Sequence, residues 1–411
     1  MTQIGQAWGE GPSRNYDAIA ERFRPVFARI AAGATARELA RELPYEQVRW
    51  LKEAGFTRAR LPVEEGGLGI GLSDQFALLI ELSEADSNIT QALRAHFGFV
   101  EDIVGLPAGA RRRVWVERIA NGETVGSAWT EIGEAPQFGF ATRLSRHGTG
   151  CVLNGAKFYT TGSLFADWID VGATYDEDGE TVAVSVRRDA PGVDVIDDWD
   201  GFGQVGTASG TATFTDVAIA ESDFVIEGGR FRYSPAFYQL VHLATLAGIG
   251  RAIVRDIGQL VATRRRSYSN APSPLPRTDP QVLQVVGRAR GDAYAAGAIV
   301  LQVARSLDRA FEARLSGDLD LYRSAVDVAE LETSQALPVV SNLILDAATV
   351  LFDAAGASAT RKGLALDRYW RNARTLSSHN PRIYKDRIVG DYAVNGTPPP
   401  EQWQIGTPAG S

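Results

Sequence analysis

Apolar residues recur at three- and four-residue spacing through most of the chain and alternate in one central part. The helical spacing predicts helices over Tyr16–Ile30 and Thr35–Ala54. Thr35 reads as an N-cap with Glu38 three residues on, a capping box, and Gly55 as the left-handed residue after the last turn. In LPVEEGGLGIG (Leu61–Gly71) four glycines in six positions read as a loop. Ser73 reads as the cap of a helix through Glu84. Asn88 opens one that carries His96, and another spans Ala108–Ala120.

Residues 123–227 change period. Thr124–Trp129, Cys151–Thr161, Trp168–Ala173, Thr181–Val186 and Thr211–Val217 are strand-like, separated by turns at Gly148, Gly150, Asp178-Gly179 and Gly192. That pattern predicts an antiparallel β domain. From Pro235 the helical period returns, over Phe237–Arg265, Asp279–Ala313, Asp320–Ala355 and Leu364–Leu376. The expected class is α+β: a helical domain over 1–122, a β domain over 123–230, a four-helix bundle over 231–394 and a Pro/Gly-rich arm over 395–411.

Composition narrows the function classes. The chain has 411 residues, 45% of them hydrophobic, and a net charge of -8. It reads as a globular protein and not as a nucleic-acid binder. One cysteine, Cys151, excludes an internal disulfide, and the four scattered histidines predict no metal site. The apolar runs read as too short for a membrane span and the N-terminus as too polar for a secretory signal, so the expected compartment is the cytoplasm. One stretch departs from the acidic average. Trp370–Lys385, WRNARTLSSHNPRIYK, carries Arg371, Arg374, Arg382, Lys385 and His379 and no acid at all.

Three segments in order resemble the acyl-CoA dehydrogenase superfamily: LPVEEGGLGIG; AWTEIGEA (Ala128–Ala135), similar to a Thr-Glu-Pro motif at the flavin edge; and LNGAKFYTTGSLFADW (Leu153–Trp168). Farther on, LDRYWRNARTLSSHNPRIYKDRIVGDY (Leu366–Tyr392) resembles the flavin-dependent monooxygenases on this fold, of the dibenzothiophene monooxygenase type. The resemblance implies a helix–sheet–bundle fold and a homotetramer. It also implies the oxygenase component of a two-component flavin monooxygenase. Such an enzyme uses reduced FMN (or FAD) and O2 through a C4a-hydroperoxyflavin, on a small apolar or aromatic substrate. Gly201–Gly206 spells Gly-x-Gly-x-x-Gly, but it falls inside the β block with no helix opening after it, so it does not read as a nicotinamide fingerprint, and a separate NAD(P)H:flavin reductase is implied as partner. The competing readings are an acyl-CoA dehydrogenase or oxidase with a displaced base, and an N-hydroxylating flavoenzyme.

Dehydrogenation needs a carboxylate base within reach of the substrate. The family places it in the C-terminal segment or in the helix after the β domain. There is no Asp or Glu between Trp370 and Lys385, and none between Gly228 and Arg255. The monooxygenase reading makes His379 and Thr161 the catalytic pair, with the imidazole titrating near working pH. On the residues alone His379 reads as a helix-end cap, and Thr161 equally as a strand residue. The resemblance places Trp129, Thr130, Tyr159, Thr160, Thr161 and His379 at the flavin. Arg266, with its guanidinium fork, and Ser358 of AGASAT fall at its phosphate, where the family has an arginine in place of Ser358. Gln91, Ala95, His96, Trp199, Tyr238 and His242 are the expected substrate pocket, joined by the Phe138–Phe140 loop.

Overall fold

The computed structural model describes residues 7–132, 139–226 and 230–400. Seven helices come first: α1 (Tyr16–Ala20), α2 (Arg24–Ala40), α3 (Tyr45–Glu53), α4 (Leu72–Ala85), α5 (Ser87–Ala92), α6 (Arg94–Val104) and α7 (Ala110–Ala120). Eight strands follow: β1 (Val125–Ala128), β2 (Arg143–His147), β3 (Gly150–Lys157), β4 (Trp168–Tyr175), β5 (Thr181–Arg187), β6 (Val193–Val195), β7 (Ala212–Ile219) and β8 (Phe224–Ile226). The last part holds α8 (Ser234–Thr263), α9 (Pro280–Ser316), α10 (Leu319–Ala355), α11 (Asp367–Ser377) and α12 (Lys385–Asn395).

Several boundaries differ from those the periodicity predicts. Thr35 lies inside α2, which runs on until Arg41 adopts a left-handed conformation. Ser73 is not the cap of α4. The Asp308 carboxylate, on α9, caps that helix by accepting from Leu72 N at 2.6 Å and Ser73 N at 3.0 Å. Asp86, not Asn88, caps α5. Where the end of the helical region was expected, α12 adds another helix.

The sheet runs in the order β6-β7-β3-β2-β4-β5-β8 and is mixed, not antiparallel. β1 pairs in parallel with β4 from Val125↔Trp168, and β2 pairs in parallel with the far end of β4 at Arg143↔Thr174. β1 and β2 therefore lie end to end along one edge of β4. Alternation announces a strand but not the direction of its partner, so this arrangement was not visible in the sequence.

The helices before and after the sheet share one core. α4 packs on α8, with the Phe76 and Phe237 rings edge to face at 5.3 Å. α8 and α10 are, contrary to expectation, long and apolar enough to cross a membrane. The apolar stretch of α8 is 83% buried within this fold, so its composition serves the core. That of α10 is only 44% buried, and Leu319, Leu321, Val328 and Val339 stand exposed along it.

Candidate active site

The end of β1 reaches the first turns of α8 through Arg230 and Tyr238, the end of α11 meets α8 at His242, and the turn after β3 seats on the end of α5. Trp129 follows β1 and donates its indole N–H to Asp170 at 2.8 Å; the Arg230 guanidinium lies 4.4 Å over its ring and also pairs with Asp170. Thr130 pairs with Phe158 as an isolated bridge, its carbonyl accepting from Phe158 N at 2.8 Å. Glu131 fixes this loop. It accepts from Lys157 Nζ at 2.6 Å and from both the amide and hydroxyl of Thr142, and the Lys157 and Glu131 side chains are only 0% and 8% exposed. Burial pushes the Glu131 carboxyl up, but the bonds from Lys157, Thr142 and Ala141 outweigh it and leave it below the usual range. Gly133 to Phe138, including the end of the AWTEIGEA motif, lie outside the described residues.

The turn after β3 presents Tyr159 in a left-handed conformation (φ 59°), its half-exposed ring edge-on to Trp199 at 6.0 Å. Thr160 is buried and donates to Gly210 O at 2.9 Å. Gly162 follows with φ 77°, and any Cβ there would collide with the Ala92 carbonyl at the end of α5. Only glycine lets this turn seat on the helix.

Thr161 belongs to a chain of hydroxyls. Thr207 donates to Gln204 O at 2.8 Å, and Thr207 and Ser209 are 2.7 Å apart, as are Ser209 and Thr161. Since the Thr207 proton goes to the carbonyl, Ser209 must donate to Thr207, and Thr161 to Ser209. The Thr161 proton is thereby committed inward, and its oxygen is left to accept an incoming N–H.

His379 comes just after α11, its amide donating to Leu376 O at 3.2 Å. Its ring lies 4.3 Å from that of His242 on α8, and its Nε2 is 3.5 Å from the Arg94 guanidinium. An arginine only donates, so Nε2 accepts and the proton sits on Nδ1. Solvent reaches the ring, yet protein surrounds it on the other sides, and that desolvation, then the Arg94 charge, pushes its pKa down to about 3. This corrects the expectation of an imidazole titrating near working pH. His379 is neutral there and acts as a hydrogen-bonding group. His242 is 3% exposed, neither ring nitrogen has a partner, and its pKa lies well below the ordinary value for the same reason of burial.

His96 does not line a pocket. It is 1% exposed, donates from Nε2 to Thr57 O at 2.8 Å and accepts at Nδ1 from Val125 N at 3.3 Å. It is a strut joining α6 to β1, and burial lowers its pKa to about 4. The folded chain therefore excludes a proton that the unfolded chain accepts below about pH 6.5. Its contribution to stability is whole above that pH and is lost as pH falls to about 4, by roughly 3 kcal/mol at 1.36 kcal/mol per unit. In urea unfolding at pH 6.5 and pH 4, His96→Gln should lose less stability than the wild type by that amount. Equal losses would rule this account out.

Of the other expected pocket residues, Tyr238 is half-buried with Arg94 5.2 Å above its ring, and its hydroxyl accepts from Arg230 at 3.3 Å. Trp199 donates to Gly203 O at 3.1 Å. Gln91 is buried with Oε1 unpartnered, and Ala95 is half-buried beside Arg94. Arg266 and Ser358 are both exposed and lie elsewhere. Arg264 donates to Ala355 O at 2.6 Å, which sets this pair at the far end of α8. Thr263 lies 21 residues beyond His242 in that helix, about 32 Å at 1.5 Å per residue. One chain does not bring the two groups together. The sequence reading missed Arg94, Ser209, Thr207 and Arg230. The signal for Arg94 was a lone charge in the apolar run QALRAHFGFV.

The acyl-CoA dehydrogenase N-terminal domain matches residues 14–123 and the acyl-CoA dehydrogenase C-terminal domain residues 240–381. The chain is 25% identical over 402 residues to a probable FMNH2-dependent monooxygenase, SfnC, of Pseudomonas putida, covering 94% of this chain and 97% of that protein. It is 24% identical over 386 residues to dibenzothiophene monooxygenase of Mycolicibacterium goodii, covering 90% of each. FMN-bound TdsC of Paenibacillus sp. A11-2 superposes with a TM-score of 0.83 at 22% identity, over 94% of this chain and 98% of that one. Methanesulfinate monooxygenase MsuC of Pseudomonas fluorescens gives 0.84 at 23% identity, over 93% and 98%.

Proposed function

The chain belongs to the acyl-CoA dehydrogenase family, and on that premise we propose that it is the oxygenase component of a two-component flavin-dependent monooxygenase. It takes reduced FMN from a separate NAD(P)H:flavin reductase and, with O2, oxygenates a small substrate whose body is apolar or aromatic. The observation that carries this reading is the character of the groups facing the cleft. No carboxylate among the described residues bonds His379, His242 or Arg94, and the two stretches in which dehydrogenation would place its base, Trp370–Lys385 and Gly228–Arg255, hold no acid. The relative named as a probable FMNH2-dependent monooxygenase supports the same cofactor.

The residues present fit a reduced flavin. Trp129, Thr130 and Tyr159 would hold the ring system, whereas Thr160, fully buried with its hydroxyl on Gly210 O, supports the turn from beneath. The committed hydroxyl of Thr161 offers an acceptor, which suits the N–H that a reduced flavin carries and an oxidised one lacks. Bound reduced FMN supplies the electrons that activate O2 and so the oxygen atom for transfer. The chain itself orients the reactants, excludes water and keeps one N–H on His379 to give. Arg266 and Ser358 would hold the phosphate of an FMN seated in another copy, because their own cleft is a helix length away. The uncovered face of α10 supports such an assembly, a homotetramer in this proposal.

The test is a respirometer. NADH, FMN, a flavin reductase and this protein together should consume O2 in a substrate-dependent way, and omitting the reductase should abolish it. Oxidation of NADH by this protein and FMN alone would defeat the split-component reading. Bleaching of bound flavin by an acyl-CoA would favour dehydrogenation.

A further inference from the structure

We propose that Arg94 recognises an oxyanion on the substrate, so that the molecule oxygenated carries a carboxylate, sulfinate or similar group at one end of its apolar body. The inference rests on the monooxygenase reading in that it takes the ligand to be the substrate.

Arg94 is the first residue of α6 and is half-buried. Its guanidinium stands over the Tyr238 ring, and its one hydrogen-bonding contact is the neutral His379 at 3.5 Å. Its Nε is buried and has no partner. The three arginines of the described residues that are buried outright each meet an acid: Arg37 meets Asp86 at 2.9 Å, Arg60 meets Glu101 at 2.9 Å, and Arg368 meets Asp256 at 2.8 Å, while Arg251, enclosed without an ion pair, feels the charge of Glu84. Arg94 has no acid among the described residues. An enclosed cation without an anion is costly unless something supplies one.

A second observation lies next to it. His242, 3% exposed, turns its ring toward His379 with both nitrogens unpartnered. A neutral imidazole offers one donor and one acceptor. Arg94, His379 and His242 thus form a run of groups with a net positive charge and spare donors. Such a set is suited to a planar or tetrahedral oxyanion, which a guanidinium holds through two parallel bonds. Tyr238, over whose ring the guanidinium stands, supplies aromatic surface for the rest of the molecule.

The experiment uses the full chain loaded with FMN and no turnover. Benzoate and benzenesulfinate are titrated by calorimetry against the neutral benzamide and benzyl alcohol, into the wild type, Arg94→Gln and Arg94→Lys. A charge-assisted pair predicts that the anions bind the wild type roughly tenfold to hundredfold more tightly than the neutral probes. That preference should vanish in Arg94→Gln and survive in part in Arg94→Lys, with FMN affinity equal in all three. The proposal is overturned if the wild type fails to prefer or to bind the anions, or if Arg94→Gln keeps the preference. It is also overturned if Arg94→Gln loses FMN instead, which would assign the guanidinium to the flavin. Arg94→Lys guards against misfolding, with circular dichroism checked for each variant. A protein that discriminates the anions and oxygenates nothing would remove the monooxygenase reading alone. One that oxygenates with no anion preference would remove only this inference.

Discussion

Replacing His379 by alanine should lower the turnover number for oxygenation by roughly 10²–10⁴-fold, the usual scale for a positioned proton-transfer or hydrogen-bonding group. Reduced FMN should still bind, because Trp129, Thr130 and the Tyr159–Thr161 turn are untouched. The lost activity should reappear as hydrogen peroxide, since O2 would still meet reduced flavin in a site no longer arranged to transfer oxygen. The readout is the ratio of hydrogen peroxide to product under a fixed supply of reduced FMN. The wild-type rate should also show no titration near pH 6.5 from this residue, because its pKa lies at about 3. A variant that binds FMN and oxygenates at the wild-type rate would take His379 out of the mechanism and leave it as the end of α11.

The second large effect is on folding. Glu131→Ala strands the Lys157 ammonium, whose side chain is fully buried, and should destabilise the protein by about 3–5 kcal/mol in urea unfolding. Some of the charge can stay favourable through the Phe140 ring, which Lys157 approaches to 3.7 Å from the centroid. Burial already lowers the Lys157 pKa to about 8 with Glu131 in place, so without it the lysine should become neutral at physiological pH. The double variant Glu131→Met with Lys157→Met, which removes both charges, should recover most of the loss. Its FMN affinity should nonetheless fall, because Glu131 ties Thr142 to the segment that carries Trp129 and Thr130. A single Glu131→Ala variant as stable as the wild type would show that the pair contributes nothing to the fold.

What the chain made legible follows from what its patterns can encode. Helical period found α8, α9 and α10 to within a few residues, because each buries a continuous apolar face. It failed at α2, where Thr35 looked like a cap, since a cap depends on the backbone conformation and not on the residue type alone. It failed at Ser73 because the groups that satisfy that helix end come from Asp308, far along the chain. The motifs drew attention to Thr161, Tyr159 and His379, but single residues do not reveal their neighbours. The neutral state of His379 depends on Arg94 and on enclosure, and the inward commitment of Thr161 depends on Ser209 and Thr207. His96 illustrates the converse. Position in a motif-bearing helix suggested a pocket, while both of its nitrogens belong to the backbone of other elements.

α8 carries the His242 end of one cleft and, about 32 Å away, leads into the Arg264–Arg266 end of another. In the proposed assembly no copy is self-sufficient: each completes a neighbour's cofactor site while borrowing the completion of its own. Flavin affinity then becomes a property of the assembly and falls on dilution as copies come apart. The enzyme would be quiet when scarce and active once enough of it has accumulated, so its abundance would act as a threshold.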